Sequence, residues 1–126
     1  MSRSIQLIED EPGLVLTLKD RLTREGYEVD AAQDGNLVLA SAMRGQADLI
    51  ILDLMLPGRS GFLVLEKIKS KKPRNAKPFV IMITGNQGGR HKMYAETLGV
   101  SEYFNKPVKM DKLIAAAEKL LAPAPV

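Results

Sequence analysis

Four polar clusters stand at the ends of apolar runs in this chain, and their types fit phosphoryl chemistry assisted by a divalent metal. Asp53 closes Leu49-Ile50-Ile51-Leu52 and leads into Leu54-Met55-Leu56-Pro57-Gly58. Ile5-Gln6-Leu7-Ile8 runs into Glu9-Asp10-Glu11, Phe79 to Ile83 runs into Thr84-Gly85, and Tyr103-Phe104-Asn105 runs into Lys106-Pro107. A carboxylate can act as a nucleophile, an acid pair can hold a hard cation, and a lysine supplies a fixed positive charge. Each residue alone has a plainer reading: a loop acid or N-cap, a turn residue, a strand threonine, a surface lysine. All four plain readings must hold together to defeat the chemical one.

The elements that would position them alternate. Apolar runs at Ser4–Glu9, Tyr27–Ala31, Asp48–Asp53, Phe79–Ile83 and Val100–Phe104 read as strands. Between them lie helical patterns: Gly13–Glu25 closed by Gly26, Asp34 to about Arg44 closed by Gly45, Ser60 to about Ser70, a stretch after Gly85–Gly89 reaching Leu98, and Asp111–Leu121. Ser60 is a candidate cap, and Phe62, Leu65 and Ile68 share a helix face. Strict alternation predicts a parallel sheet with helices on both faces. In such a sheet an acid at a strand exit lies on the edge where ligands bind.

The chain has 126 residues, 45% hydrophobic and 26% charged, which suits one domain with one core. It has no cysteine, so disulfide and thiolate chemistry are excluded. No apolar stretch approaches ~18 residues, as a membrane span needs, and Met1-Ser2-Arg3-Ser4 lacks a signal-peptide pattern. The expectation is a cytoplasmic protein with no membrane contact. A net charge of +3 does not indicate nucleic acid. Lys67, Lys69, Lys71, Lys72, Arg74 and Lys77 read as a solvated helix end. His91, the sole histidine, is expected on a helix surface, and the methionines as core filler. Asp30 and Asp48 read as turn or edge residues. The tail from Ala122 to Val126 reads as a free end or the start of a linker after a domain spanning 1–121.

Leu7-Ile-Glu-Asp-Glu-Pro12, Ile51-Leu-Asp-Leu-Met-Leu-Pro-Gly58 with Gly61, Ile83-Thr-Gly85 and Tyr103-Phe-Asn-Lys-Pro107 together resemble the receiver domain of CheY-like response regulators over essentially the whole chain. The resemblance implies an α/β fold with a five-stranded parallel sheet in the flavodoxin-like order 2-1-3-4-5. It implies that Asp53 accepts a phosphoryl group and that Mg²⁺ is held by Glu9, Asp10, Asp53 and the Met55 carbonyl. It further implies that Lys106 pairs with Asp53 and then the phosphoryl group, that Thr84 reads the phosphoryl group, that Tyr103 is the aromatic switch, and that the Lys106–Pro107 bond is cis. The resemblance also implies that the residues two after the acceptor and two after the threonine, Met55 and Asn86, flank the path of hydrolytic water. Implied partners are a sensor histidine kinase or histidine phosphotransfer protein and a downstream effector protein or domain, reached through the fourth helix, fifth strand and fifth helix. No direct nucleic-acid binding is implied. The expected state is a monomer able to dimerise on phosphorylation, a phospho-acceptor that assists its own phosphorylation and dephosphorylation, not an enzyme acting on other substrates.

Glu9 departs from the family pattern, where many relatives have Asp, and Val108 replaces a bulky aromatic. A haloacid dehalogenase-type phosphatase or phosphotransferase is the competing reading. It needs an acid two residues after the nucleophile, and Met55 stands there. A nucleotide- or flavin-binding domain needs a phosphate cradle after the first strand, where Glu9-Asp10-Glu11 repels phosphate. An unphosphorylated scaffold receiver does not explain why Glu9, Asp10, Asp53, Thr84 and Lys106 are all present.

Overall fold

The computed structural model describes residues 3–32, 47–56, 59–69, 77–85 and 89–122. The strands are β1 (Ser4–Ile8), β2 (Glu28–Ala32), β3 (Leu49–Asp53), β4 (Met55–Leu56), β5 (Arg59–Ser60), β6 (Phe79–Thr84) and β7 (Glu102–Asn105). The helices are α1 (Pro12–Arg24), α2 (Gly61–Lys69), α3 (Gly89–Thr97) and α4 (Met110–Leu121). The main sheet runs β2-β1-β3-β6-β7, all parallel, which is the expected order 2-1-3-4-5. The helix expected from Asp34 to about Arg44 lies outside the described residues, as do Lys71, Lys72, Arg74 and Asn86.

Every residue of β3 is buried, because helices cover both faces of the sheet. Alternation sorts the side chains. Ile50, Leu52, Val80 and Met82 pack with Val64, Leu65 and Ile68 of α2 and Ala95 of α3. Ile5, Leu7, Ile51 and Ile81 pack with Leu18 and Leu22 of α1 and Leu113, Ile114 and Ala117 of α4. Helices α1 and α3 stop at Gly26 and Gly99, both at positive φ. Ser60 caps α2 as expected, its Oγ accepting from the Phe62 amide at 3.2 Å.

Several expectations are corrected. β7 begins at Glu102 rather than Val100, because the Val100 amide closes α3 on the Ala95 carbonyl. Met55 and Ser60 pair across a short antiparallel two-stranded sheet that was not expected, while the expected Pro57-Gly58 turn lies outside the described residues. Lys69 is not solvated: it is buried, its Nζ donates to the Pro78 carbonyl at 3.3 Å, and its methylenes pass Gly99. His91 is half-buried and stacks on Phe62 with ring centroids 5.6 Å apart. Of the methionines, Met82 is core, whereas Met55 and Met93 are exposed.

Asp48 does more than edge a strand. Its Oδ2 accepts from the Ser4 amide at 2.8 Å and its Oδ1 from Lys77 Nζ at 3.2 Å. Its own amide donates to the Ser4 carbonyl and its carbonyl accepts from the Phe79 amide, so it ties β1, β3 and β6 together at their N-terminal ends. Burial opposes ionisation, but the Ser4 amide and Lys77 outweigh it and hold the carboxyl below its ordinary 3.8. A depressed folded pKa gives stability that is present above the unfolded value and lost as pH falls through the folded one. Asp48→Ala is therefore expected to lose about 1–2 kcal/mol at neutral pH, and the difference from the parent should close below about pH 4. Urea unfolding at pH 7 and pH 3 checks this; a difference that does not depend on pH would remove the charge from the account.

Candidate functional site

Parallel strands place all their C-terminal ends on one edge, and the polar clusters gather there. Register brings Leu52 beside Ile8, Asp53 beside Ile83, and Thr84 beside Asn105. Glu9, Asp53 and Thr84 are buried, while Asp10 and Glu11 are exposed. Lys106 follows β7, its amide donating to the Thr84 carbonyl at 2.7 Å, and its bond to Pro107 is cis as expected. The Lys77–Pro78 bond is also cis.

Lys106 Nζ is the hub. It donates to Asp53 Oδ2 at 3.2 Å, Glu9 Oε2 at 3.1 Å and Glu11 Oε2 at 3.3 Å. The pairing with Asp53 was expected; those with Glu9 and Glu11 were not. Glutamate in place of aspartate explains the first of these, since the extra methylene brings both Glu9 oxygens to the lysine, Oε1 at 2.9 Å. Asp53 Oδ1 accepts from the Met55 amide at 3.0 Å, and Glu9 Oε2 from the Glu11 amide at 3.0 Å.

The electrostatics follow from this crowding. Burial pushes the Glu9 carboxyl from 4.5 up to about 7; the Glu11 amide and Lys106 oppose the rise, and the Asp53 charge adds to it. Burial alone would lower the Lys106 ammonium, but its bonds to Glu9 and Asp53 win and raise it. The lysine therefore stays charged at any physiological pH.

Glu9, Asp10 and Asp53 each offer a carboxylate oxygen, all within 4.8 Å of one another. Glu9 Oε1 is buried and makes no directed hydrogen bond, although the lysine lies within ion-pair distance. A buried oxygen with spare acceptor capacity beside two more carboxylates fits a hard divalent cation. Met55 sits directly beyond the Asp53–Leu54 turn with its side chain exposed.

Tyr103 is half-buried against the Ile8, Leu52 and Val64 core. Its hydroxyl is shielded from water and has no hydrogen-bond partner among the described residues, and burial raises its pKa. A Cβ at Gly85, next to Thr84, would meet nothing within 4 Å among the described residues. The contact of Glu11 with Lys106 was not foreseen from the sequence, although Glu11 lies in the same acidic tripeptide, nor was the reason for Gly61. A Cβ there would lie 2.5 Å from the Asp53 carbonyl oxygen.

Residues 5–118 match the family model described as the response regulator receiver domain. The response regulator PleD of Caulobacter vibrioides is 36% identical over 120 residues, covering 95% of this chain and 26% of PleD. The sensory transduction protein RegX3 of Mycobacterium tuberculosis is 36% identical over 118 residues, covering 94% of this chain and 50% of RegX3. The chain thus spans half or less of the length of these relatives. Among solved structures, a CheY-like response regulator receiver domain protein from Methanospirillum hungatei superimposes with a TM-score of 0.83 at 29% identity, covering 95% of this chain and 94% of that one. A signal receiver domain from Vibrio parahaemolyticus gives 0.85 at 27% identity, covering 96% and 91%. The acidic edge, the sheet order and these matches agree, and the chain belongs to the response regulator receiver domain family of two-component signalling.

Proposed function

We propose that this receiver is a switch driven by phosphorylation of Asp53. The supporting observation is the convergence of Glu9, Asp10, Asp53 and Lys106 on one sheet edge. An Asp53 carboxylate oxygen attacks the phosphorus of a phosphohistidine or a small acyl phosphate. A new P–O bond forms, the donor's P–N or P–O bond breaks, and its electron pair leaves with the imidazole or the carboxylate. Glu9, Asp10, Asp53 and the Met55 carbonyl would hold Mg²⁺, which supplies charge neutralisation between the incoming phosphoryl group and the acids. Lys106 compensates charge on the phosphoryl oxygens as a fixed cation. Thr84 hydrogen-bonds the phosphoryl group, and Tyr103 responds by repacking. The population then shifts toward a state whose α3–β7–α4 face binds an effector differently.

Met55 offers no proton-transfer group, and Asn86 cannot act as a general base at neutral pH, so neither speeds hydrolysis. Receiver domains partner with histidine kinases and effectors. For this chain the donor is a sensor histidine kinase or histidine phosphotransfer protein, and the receiver unit 1–121 makes no direct contact with nucleic acid. It acts in the cytoplasm as a monomer that can pair when phosphorylated. No described helix is long and apolar enough to cross a membrane.

The test is intact mass after incubation with acetyl phosphate and Mg²⁺. One phosphoryl group is expected, and EDTA should abolish it. Equal labelling with and without EDTA would remove the metal from the proposal.

A further inference from the structure

Lysine has three N–H donors, and all three of Lys106 are taken by carboxylates: Glu9, Glu11 and Asp53. An incoming phosphoryl oxygen can gain a lysine N–H only if one carboxylate gives it up. The three are unequal. The side chains of Glu9 and Asp53 are 0% and 4% exposed, whereas that of Glu11 is 59% exposed. Before the P–O bond forms, Asp53 is still an anion, and stripping the lysine from it or from Glu9 leaves a buried charge without solvent. Stripping it from Glu11 leaves a carboxylate that water solvates at once.

Two further observations bear on Glu11. It is the N-cap residue of α1, yet its side chain makes no capping hydrogen bond. Its reach goes to Lys106 instead. It also lines an open groove of about 570 Å³ together with Gly13, Leu14, Thr17, Lys106 and Pro107. The carboxylate therefore has somewhere to go when it lets go.

We propose that Glu11 is a latch on Lys106: it holds the third lysine N–H at rest and surrenders it to the incoming phosphoryl oxygen before the bond to Asp53 forms. The latch lies outside the Glu9–Asp10–Asp53 cluster. It sets how readily the lysine is available, and so tunes the rate at which the site accepts phosphate. This rests on the acceptor reading of Asp53 given above.

The experiment compares the full chain with Glu11→Gln and Glu11→Asp. Gln keeps the length and removes the charge. Asp keeps the charge and loses one methylene of reach, so it breaks the latch without changing local repulsion. With acetyl phosphate and Mg²⁺, both variants are expected to label roughly twofold to fivefold faster than the parent, the range for one exposed ion-pair contact. In the resting protein both should also shift the NMR signal of the Lys106 ammonium, a readout that needs no phosphoryl transfer. Acceleration by Gln with parent-like Asp would assign the effect to charge repulsion and overturn the latch. Unchanged rates in both variants would overturn it too, as would an unmoved lysine signal. A parent that takes no label, with the lysine signal still shifting, would sink the acceptor reading while leaving the resting contact established.

Discussion

Asp53→Asn is expected to take no phosphoryl group from acetyl phosphate while melting no lower than the parent. The loss follows from chemistry, because a neutral amide lacks the anionic oxygen that attacks phosphorus. The retained stability follows from the contacts. Asn can still accept the Met55 amide now bonded to Asp53 Oδ1 at 3.0 Å. Lys106 is not orphaned, because Glu9 and Glu11 remain within 2.9 and 3.3 Å. One like charge is removed from beside Glu9, where Asp53 raises the carboxyl's proton affinity. Intact mass and a thermal melt decide together. Parent-like labelling would move the acceptor elsewhere. Lost labelling with Tm lower by more than about 5 °C, roughly 1 kcal/mol for a domain of this size, would make Asp53 structural first.

The strand ends were legible because of what a parallel sheet demands. Buried on both faces, β3 and β6 must be continuous apolar runs, so the first polar residue after each run marks an exit. Parallel connection then puts every exit on one edge, and residues as distant in sequence as Glu9 and Lys106 can be placed together from pattern alone. What pattern does not carry is side-chain reach. That Glu9 meets the lysine with both oxygens, and that Glu11 joins it, depends on methylene counts and loop path. Asp48 was read as an edge residue because its partners, Ser4 and Lys77, are distant in sequence and carry no shared motif. Helix α3 was legible from its flanking glycines but not in its inward face: among its described residues it buries only Ala95, so its sequence has almost no apolar stripe to announce which side faces in. His91 was consequently assigned to the surface, although Phe62 covers its ring.

Gly61→Ala is expected to lose about 3 kcal/mol or more of stability, and to weaken metal binding at a residue that touches no metal. The cause is steric rather than conformational, since the positive-φ glycines among the described residues are Gly26 and Gly99. An added Cβ would lie 2.5 Å from the Asp53 carbonyl oxygen, 2.7 Å from Leu54 Cα and 2.9 Å from the Leu54 oxygen. All three atoms are backbone, so no rotamer change relieves the clash. The chain at 53–54 and the start of α2 must part, straining the bond from the Gly61 amide to the Leu54 carbonyl at 2.8 Å. That shift reaches the site directly, because the same turn carries the Met55 amide that orients Asp53 Oδ1. Gly13→Ala is the control: its Cβ meets nothing within 4 Å among the described residues, it lies in the first turn of α1, and it should stabilise by up to about 1 kcal/mol. Urea unfolding and Mg²⁺ titration of the two variants read out both effects. If Gly61→Ala unfolds within about 1 kcal/mol of the parent, the turn after Asp53 yields easily, and the glycine is not what holds the acceptor in place.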